Sequence, residues 1–353
     1  MSLLSPAASP VSMNETAAST IRTQAKGVPP TIPVTPPGKW RILPSMSTAA
    51  STPFALPAGV DLTVRPLRAT DAEAVVALAR ADEAESLAEP VTELVDVQRA
   101  WLLPTTDLDH RSLALLDGTR LVGYLVVGAH GRLDAVVAAS HRGRDIGRAL
   151  LDHAMVVARN QGDPEVSQTV PVGSPAHRFL DAAGGTATWD SWILELPADR
   201  RLPEQALPDG FTLGEGRPEE MHSVHLVKEA AFDEWPGRRP TSYEDWAADF
   251  LEGEEAAPWR CRVVRDREGR VVAMAMVIGS EDGMLWVDQL AVAAPHRGLG
   301  LGRALLADSF AEGRRRGLAR AGLSTDSRTG ALGLYEHVGM EVTATFRHLA
   351  IPV

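Results

Sequence analysis

Seven consecutive residues, Arg297-Gly298-Leu299-Gly300-Leu301-Gly302-Arg303, carry the clearest chemical signal in this 353-residue sequence. An apolar run ends just before them at Val292, and Pro295 stops the strand because proline has no amide hydrogen to give to a ladder. Helix-forming residues, Arg303 to Leu306, follow directly. A glycine-rich bend feeding a helix start is suited to binding phosphate. The first amides of a helix have no intrahelical partners, and the helix dipole there favours anions. Two other glycine-rich phosphate loops fit poorly. The P-loop requires Lys-Ser/Thr after its last glycine, and Arg303-Ala304 stands there. The dinucleotide fingerprint belongs in a βαβ unit near a first strand, whereas this stretch comes late, after several predicted strands.

The elements that must position this loop are legible from period and punctuation. A strand over Met284–Val292 leads into it, and a helix runs from it to about Arg316, ending at Gly317. Upstream, the pattern predicts a strand at Phe211–Leu213, helices at 218–232 and 242–251, and strands at Arg260–Arg265 and Val271–Ile278. Downstream come a strand at Ala319–Leu323, a helix at Thr329–Val338 and a strand at Val342–Leu349.

The same series occurs earlier in the chain. Residues 137–151 align without a gap on residues 292–306, and the offset of 155 still matches Ala176 to Ala331 and Gly184 to Gly339. This is an internal duplication. The first copy is predicted to open with a strand at 61–65 and a capping box at Thr70-Asp71-Ala72-Glu73. A helix near 91–103, a hairpin around Asp117-Gly118 and a strand at 133–138 follow. Residues 1–57, rich in Ser, Thr, Ala and Pro, are expected to be a disordered extension. The chain then divides into 58–198 and 207–353.

The pattern Arg-x-x-Gly-x-Gly between a strand and a helix, together with the element order, resembles the GNAT superfamily of N-acyltransferases. Tandem copies with a weakened first half resemble the mycothiol synthase-like two-domain acetyltransferases. The resemblance implies an α/β (α+β) fold of two tandem domains, each a mixed, mostly antiparallel sheet flanked by helices. It implies acetyl-CoA as co-substrate and no metal. Arg297, Gly298, Leu299, Gly300, Leu301, Gly302 and Arg303 would then hold the pyrophosphate, and backbone groups of Leu290, Ala291 and Val292 the pantetheine arm. Ser327 or Arg328 stands where the family often has an asparagine. Tyr335, in Leu334-Tyr335-x-x-x-Gly339-Met340, matches the tyrosine that protonates the leaving thiolate. An ammonium acceptor, pKa ~10.4, must also lose a proton before it can attack. Asp288 matches the carboxylate of polyamine acetyltransferases and is the candidate base, the other reading being a structural aspartate. Strand alternation would place Trp286 on the same face as Asp288.

The first copy fails at the positions where chemistry is expected. Asp145 replaces Gly300, Leu180 replaces Tyr335, and Leu133 replaces Asp288. The first half is therefore expected to be non-catalytic.

Composition bounds the rest. The 44% hydrophobic content supports two cores, and the net charge of −11 disfavours nucleic acid as a partner. A single cysteine, Cys261, excludes a disulfide framework. No apolar run is long enough for a membrane span, so the expected location is cytoplasmic and the expected state a monomer or homodimer. Between Glu219 and Glu255 lie eleven acids and three bases. They form either an acidic rim for a cationic small-molecule amine or peptide acceptor, with Glu234 and Trp235 among its residues, or solvated helix faces. Trp246 either walls that pocket or packs. Two functions follow: an acetyl-CoA-dependent N-acetyltransferase, and a non-catalytic CoA-responsive binding protein.

Overall fold

The computed structural model describes residues 54–103, 105–234, 240–251, 257–280 and 283–353. Residues 1–53 of the expected extension, and Trp235, lie outside these. The first unit comprises β1 (Thr63–Arg65), α1 (Ala72–Glu83), α2 (Leu94–Leu102), α3 (Leu108–Arg111), β2 (Ser112–Asp117), β3 (Arg120–Val127), β4 (Leu133–Val137), α4 (Ile146–Gln161), β5 (Glu165–Pro171), α5 (Pro175–Ala182) and β6 (Thr186–Leu196). The second comprises β7 (Thr212–Glu215), α6 (Met221–Phe232), α7 (Tyr243–Phe250), β8 (Cys261–Arg265), β9 (Val271–Gly279), β10 (Met284–Val292), α8 (Leu301–Arg315), β11 (Arg320–Asp326), α9 (Leu332–His337) and β12 (Glu341–Pro352). This is the α/β tandem architecture expected from the sequence. Packing begins slightly earlier than expected, since Phe54 and Leu56 lie against the first core.

The start of α1 differs from the predicted capping box. Asp71, not Thr70, does the capping work. Its carboxylate accepts the Arg68 amide at 2.7 Å and the Arg65 guanidinium at 2.6 and 2.8 Å. The second unit repeats the device, with Glu220 accepting the Arg217 amide at 2.7 Å and the Arg265 guanidinium at 2.6 Å. Both carboxyls are held below their ordinary range, chiefly by the arginine hydrogen bond.

Strand β9 shows why the second sheet is buried on both faces. Its residues from Val271 to Val277 are all buried, the continuous apolar run expected of a covered strand. Ala273 and Ala275 meet Leu301 and Leu305 of α8, while Met274 and Met276 meet Met221, Val224 and Trp246 of α6 and α7.

The sheets do not close within their own units. One has four strands in the order β1-β2-β3-β4, and the other eight in the order β5-β12-β6-β11-β10-β9-β8-β7. The last strand of each unit is exchanged. β12 pairs with β5, setting Phe346 opposite Pro171, and β6 pairs with β11, setting Ser191 opposite Asp326. The repeat offset of 155 maps the first pair onto the second, so the two exchanges share one register. At the seam β6 and β12 run antiparallel, with Thr186 opposite Ala350 and Glu195 opposite Glu341, an arrangement the same offset maps onto itself. The exchange carries core residues with it. Leu349 and Ile351 enter the first unit's core, and Leu194 and Leu196 the second's, each side chain contributing about 1.5–3 kcal/mol on burial. Separating the units would break three strand pairings, β5–β12, β12–β6 and β6–β11, and leave their edges bare.

Candidate active site

The site is built where β10 and β11 part. These parallel neighbours pair only from Met284–Arg320 to Val287–Leu323. On its other edge β10 pairs with β9, and the register slips at one point. Val287 lies opposite Val277 and Gln289 opposite Met276, leaving Asp288 as an extra, bulged residue. A bulge bends its strand and re-aims the side chains beyond it. Past Asp288, the edge of β10 facing away from β9 has no strand beside it among the described residues. That is where Leu290, Ala291 and Val292 lie.

The bulge corrects the expected alternation. Trp286 stands opposite Ile278, and Gln289 and Ala291 opposite Met276 and Met274, so Trp286, Gln289 and Ala291 share the α6/α7 face. Asp288 is not part of that alternating row. Trp286 is buried among Ile193 and Phe346 of the seam and Leu87 and Val91 of the first unit's α1–α2 loop. It is a packed wall at the junction of the two units.

The loop after β10 holds the expected backbone. Gly298 and Gly300 have φ of 76° and 79°, the left-handed region that glycine enters without a Cβ penalty. No side chain caps α8, and the first helical amide with a backbone partner is that of Ala304, which donates to Gly300 O at 3.0 Å. The amides of Leu301, Gly302 and Arg303 thus point out of the helix end without an intrahelical acceptor. A Cβ at Gly298 would meet nothing within 4 Å, and one at Gly300 only the side chain of Gln205, at 3.8 Å. An open cradle of amides with a positive dipole fits a diphosphate.

Arg297 braces the loop. Its Nε donates to Val292 O at 3.2 Å and its Nη1 to Glu234 at 2.9 Å. The first unit keeps both contacts: Arg142 Nε donates to Val137 O at 3.0 Å and Nη1 to Glu85 at 2.8 Å. The brace is thus present in both units, including the one that lacks the chemical residues. Arg297 and Glu234 therefore tie the loop to the end of α6. Elsewhere in the acidic stretch, Glu220 is bound to Arg265, and Glu229 pairs with Lys228 at 2.6 Å.

Tyr335 lies in α9, buried in the cluster of Leu285, Val287, Leu306, Phe310 and Leu323, with Leu290 packed against the same cluster. Burial pushes its phenol up to about 12, so it is protonated at neutral pH. Ser327 and Arg328 turn towards the seam. Ser327 Oγ accepts the Asp190 amide at 3.2 Å, and Arg328 hydrogen-bonds Asp326 at 2.7 Å while lying over the Trp189 ring at 4.5 Å. Cys261 is no nucleophile, because burial raises its thiol to about 12.

Sequence reasoning missed one contact. Trp246 is fully buried and its Nε1 donates to Gln289 Oε1 at 3.1 Å, fixing the residue immediately after the bulge. Of the two readings of Trp246, packing is the one observed. The first unit puts Asp134 at the position of Gln289, where it accepts from Tyr124 OH at 2.7 Å.

The first unit's loop has the same path without the same groups. Gly143 has φ of 72°, and Asp145 adopts a left-handed φ of 59° at the head of α4 without capping it. β4 pairs with β3 without a bulge.

The family model described as "Acetyltransferase (GNAT) family" matches residues 74–184 and again 224–340. The chain belongs to the GNAT acetyltransferase family. It is 30% identical over 283 residues to the mycothiol acetyltransferase of Thermobispora bispora, covering 76% of this chain and 92% of that one. It is 30% identical over 299 residues to that of Nocardia farcinica, covering 79% and 94%. Among solved structures it resembles a GCN5-related N-acetyltransferase from Sphaerobacter thermophilus, with a TM-score of 0.69, 23% identity and coverage of 82% and 95%. It also resembles a tandem GNAT protein from the clavulanic acid biosynthesis pathway, with a TM-score of 0.63, 20% identity and coverage of 83% and 98%. These two establish the fold. This GNAT protein is an N-acetyltransferase. Among its described residues no helix is long and apolar enough to cross a membrane, and no His/Cys/Asp/Glu group is arranged to hold a metal.

Proposed function

We propose that the second unit transfers the acetyl group of acetyl-CoA to a primary amine of a small molecule, by direct attack in a ternary complex, and that the first unit is a non-catalytic partner. One observation carries the reading: β10 and β11 separate at the bulged Asp288, and β10 continues past that opening to the uncapped, glycine-lined start of α8. The loop amides of 298–303 would hold the diphosphate, and the bare edge of Leu290–Val292 would pair with the amide-bearing arm as an added strand does. Acetyl-CoA supplies an activated thioester.

The remaining work falls to side chains. Asp288 accepts a proton from the acceptor ammonium, directly or through water. Tyr335 donates a hydrogen bond to the sulfur as it leaves. Full proton transfer from a phenol near 12 to a thiolate of pKa ~8.5 is uphill by roughly 5 kcal/mol. Hydrogen bonding to the developing charge is therefore the larger part of its role. Burial keeps both Cys261 and Tyr335 protonated, which supports direct attack by the amine over a covalent intermediate on either side chain.

The acceptor belongs on the α6/α7 side, near Trp286 and the acid-rich stretch. The named activity of the relatives makes the amine precursor of mycothiol the first compound to try, alongside polyamines and aminoglycosides. The test is a panel of amines incubated with acetyl-CoA, read as the N-acetyl product by mass spectrometry and as free thiol release. Turnover of one amine class supports the reading. Stoichiometric acetyl-CoA binding with no acetylated product from any amine would favour a CoA-responsive binding protein.

A further inference from the structure

The linker between the units runs from the end of β6 at Leu196 to the start of β7 at Thr212. Because β6 is exchanged into the second unit's sheet beside β11, the linker begins inside that unit. Leu202 packs against the cluster that holds Tyr335. Two residues earlier, Arg200 reaches the end of the helix that carries this tyrosine.

That helix, α9, has only six residues, Leu332–His337, and no side chain caps its first turn. So short a helix holds its place through what it touches. Its far end is closed by returning backbone. Gly339 N donates to Glu336 O at 2.9 Å and Met340 N to Tyr335 O at 3.0 Å, with Gly339 at φ of 91°, the pattern of a Schellman cap. Arg200 grips this cap. Its Nη1 donates to Gly339 O at 2.8 Å, and its Nη2 lies 3.9 Å from Glu341. A Cβ on Gly339 would stand only 2.8 Å from that Nη1, so the guanidinium lies directly against the glycine. The path from linker to tyrosine is short. Arg200 holds the Gly339 carbonyl, and the next residue, Met340, returns to the carbonyl of Tyr335.

The first unit serves as an internal control. Its α5 ends with the same cap, Gly184 N donating to Asp181 O at 3.0 Å and Gly185 N to Leu180 O at 2.9 Å, and Gly184 also has φ of 91°. Yet among the described residues nothing lies within 4 Å of a Cβ placed on Gly184, and Leu180 stands where the second unit has Tyr335. α5 is secured at its other end, where Ser174 Oγ accepts the His177 amide at 3.0 Å. The Arg297 brace is common to both units, whereas the Arg200 brace accompanies the tyrosine.

We infer that Arg200 is a positioning residue: from the linker it fixes the C-terminal cap of α9, and so the depth at which the Tyr335 hydroxyl meets the leaving sulfur. The inference rests on the reading of Tyr335 as the hydrogen-bond donor.

The test is steady-state kinetics of the full chain, with acetyl-CoA and the amine turned over best in the panel, for Arg200→Ala, Arg200→Lys, Tyr335→Phe and the double variant Arg200→Ala/Tyr335→Phe. In Arg200→Ala a misplaced donor should lower kcat about tenfold while the KM for acetyl-CoA stays within about twofold. Arg200→Lys keeps a cationic donor at the helix end and should stay within about threefold of wild type. Added to Tyr335→Phe, Arg200→Ala should cost nothing more, because its effect passes through the hydroxyl. An unchanged kcat in Arg200→Ala, a tenfold rise in its acetyl-CoA KM, or an equal further loss in the double variant overturns the inference. Wild-type kcat in Tyr335→Phe refutes the reading of Tyr335 itself, and the positioning role with it. Hydrogen exchange requires no acceptor. Amides 334–340 should exchange faster in Arg200→Ala than in wild type or Arg200→Lys, and unaltered exchange overturns the brace even if no amine in the panel is turned over.

Discussion

Replacing Gly300 by aspartate gives the second unit the residue its sister carries, and the structure sets the size of the effect. The backbone tolerates the change, because Asp145 already occupies the left-handed region at the same point with φ of 59°. Aspartate enters that region more readily than most residues, at a penalty of about 1–2 kcal/mol. Its Cβ would meet only Gln205, at 3.8 and 3.9 Å, ordinary contact distances. The fold therefore survives, with stability falling by no more than about 2 kcal/mol. Binding changes far more. A carboxylate ~4 Å from a phosphate, at an effective dielectric near 20, opposes it by roughly 4 kcal/mol, or about a thousandfold in affinity. The assay is calorimetric titration of acetyl-CoA into wild type and variant, with urea unfolding of both. A loss of two or more decades in affinity in a folded variant fits the account. Unchanged affinity would show that the α8 amides do not hold the diphosphate.

Three further outcomes follow from the same geometry. Trp246→Phe removes the hydrogen bond to the half-buried Gln289, lowering stability by about 0.5–1.5 kcal/mol. Because Gln289 follows the bulge, kcat should fall while the KM for acetyl-CoA holds. Glu234→Gln breaks an ion pair whose side chains are 44% and 53% exposed. It should lower stability by less than about 1 kcal/mol and leave acetyl-CoA affinity within about twofold, whereas a tenfold rise in acceptor KM would place Glu234 in the pocket after all. His348 stacks on Trp189, and burial, then Arg328, lowers its imidazole to about 4. Between pH 6.5 and 4 the unfolded chain binds a proton there that the folded chain refuses, so stability falls as pH drops through that window. With partial exposure discounted, about 1–2 kcal/mol should be lost, and His348→Gln should flatten the urea-midpoint profile over that range.

The sequence made some of this visible and hid the rest for identifiable reasons. The glycine loop was legible because left-handed backbone and close ligand approach demand one residue type, and the duplication because fifteen aligned positions kept one register. Element order was legible from hydrophobic period. The bulge at Asp288 was not, since an inserted residue leaves composition untouched while shifting every later side chain to the other face. The strand exchange was equally hidden. β6 and β12 present the same alternation whichever unit's sheet they complete, and only the shared register shows that they trade places. The charge of Arg297 was visible in sequence, whereas its partner Glu234, 63 residues away, was not. The contacts of Arg328 with Asp326 and Trp189 were hidden in the same way.

Tyr335→Phe tests the central claim most directly. The substitution keeps the ring in its apolar cluster and deletes only the hydroxyl, so folding and acetyl-CoA affinity should stay within about threefold of wild type. Loss of a donor to the leaving sulfur should lower kcat with the best amine by about a hundredfold or more. That combination would establish the second unit as the catalyst and Tyr335 as its donor. A kcat within twofold of wild type, with acetyl-CoA still bound, would contradict the account.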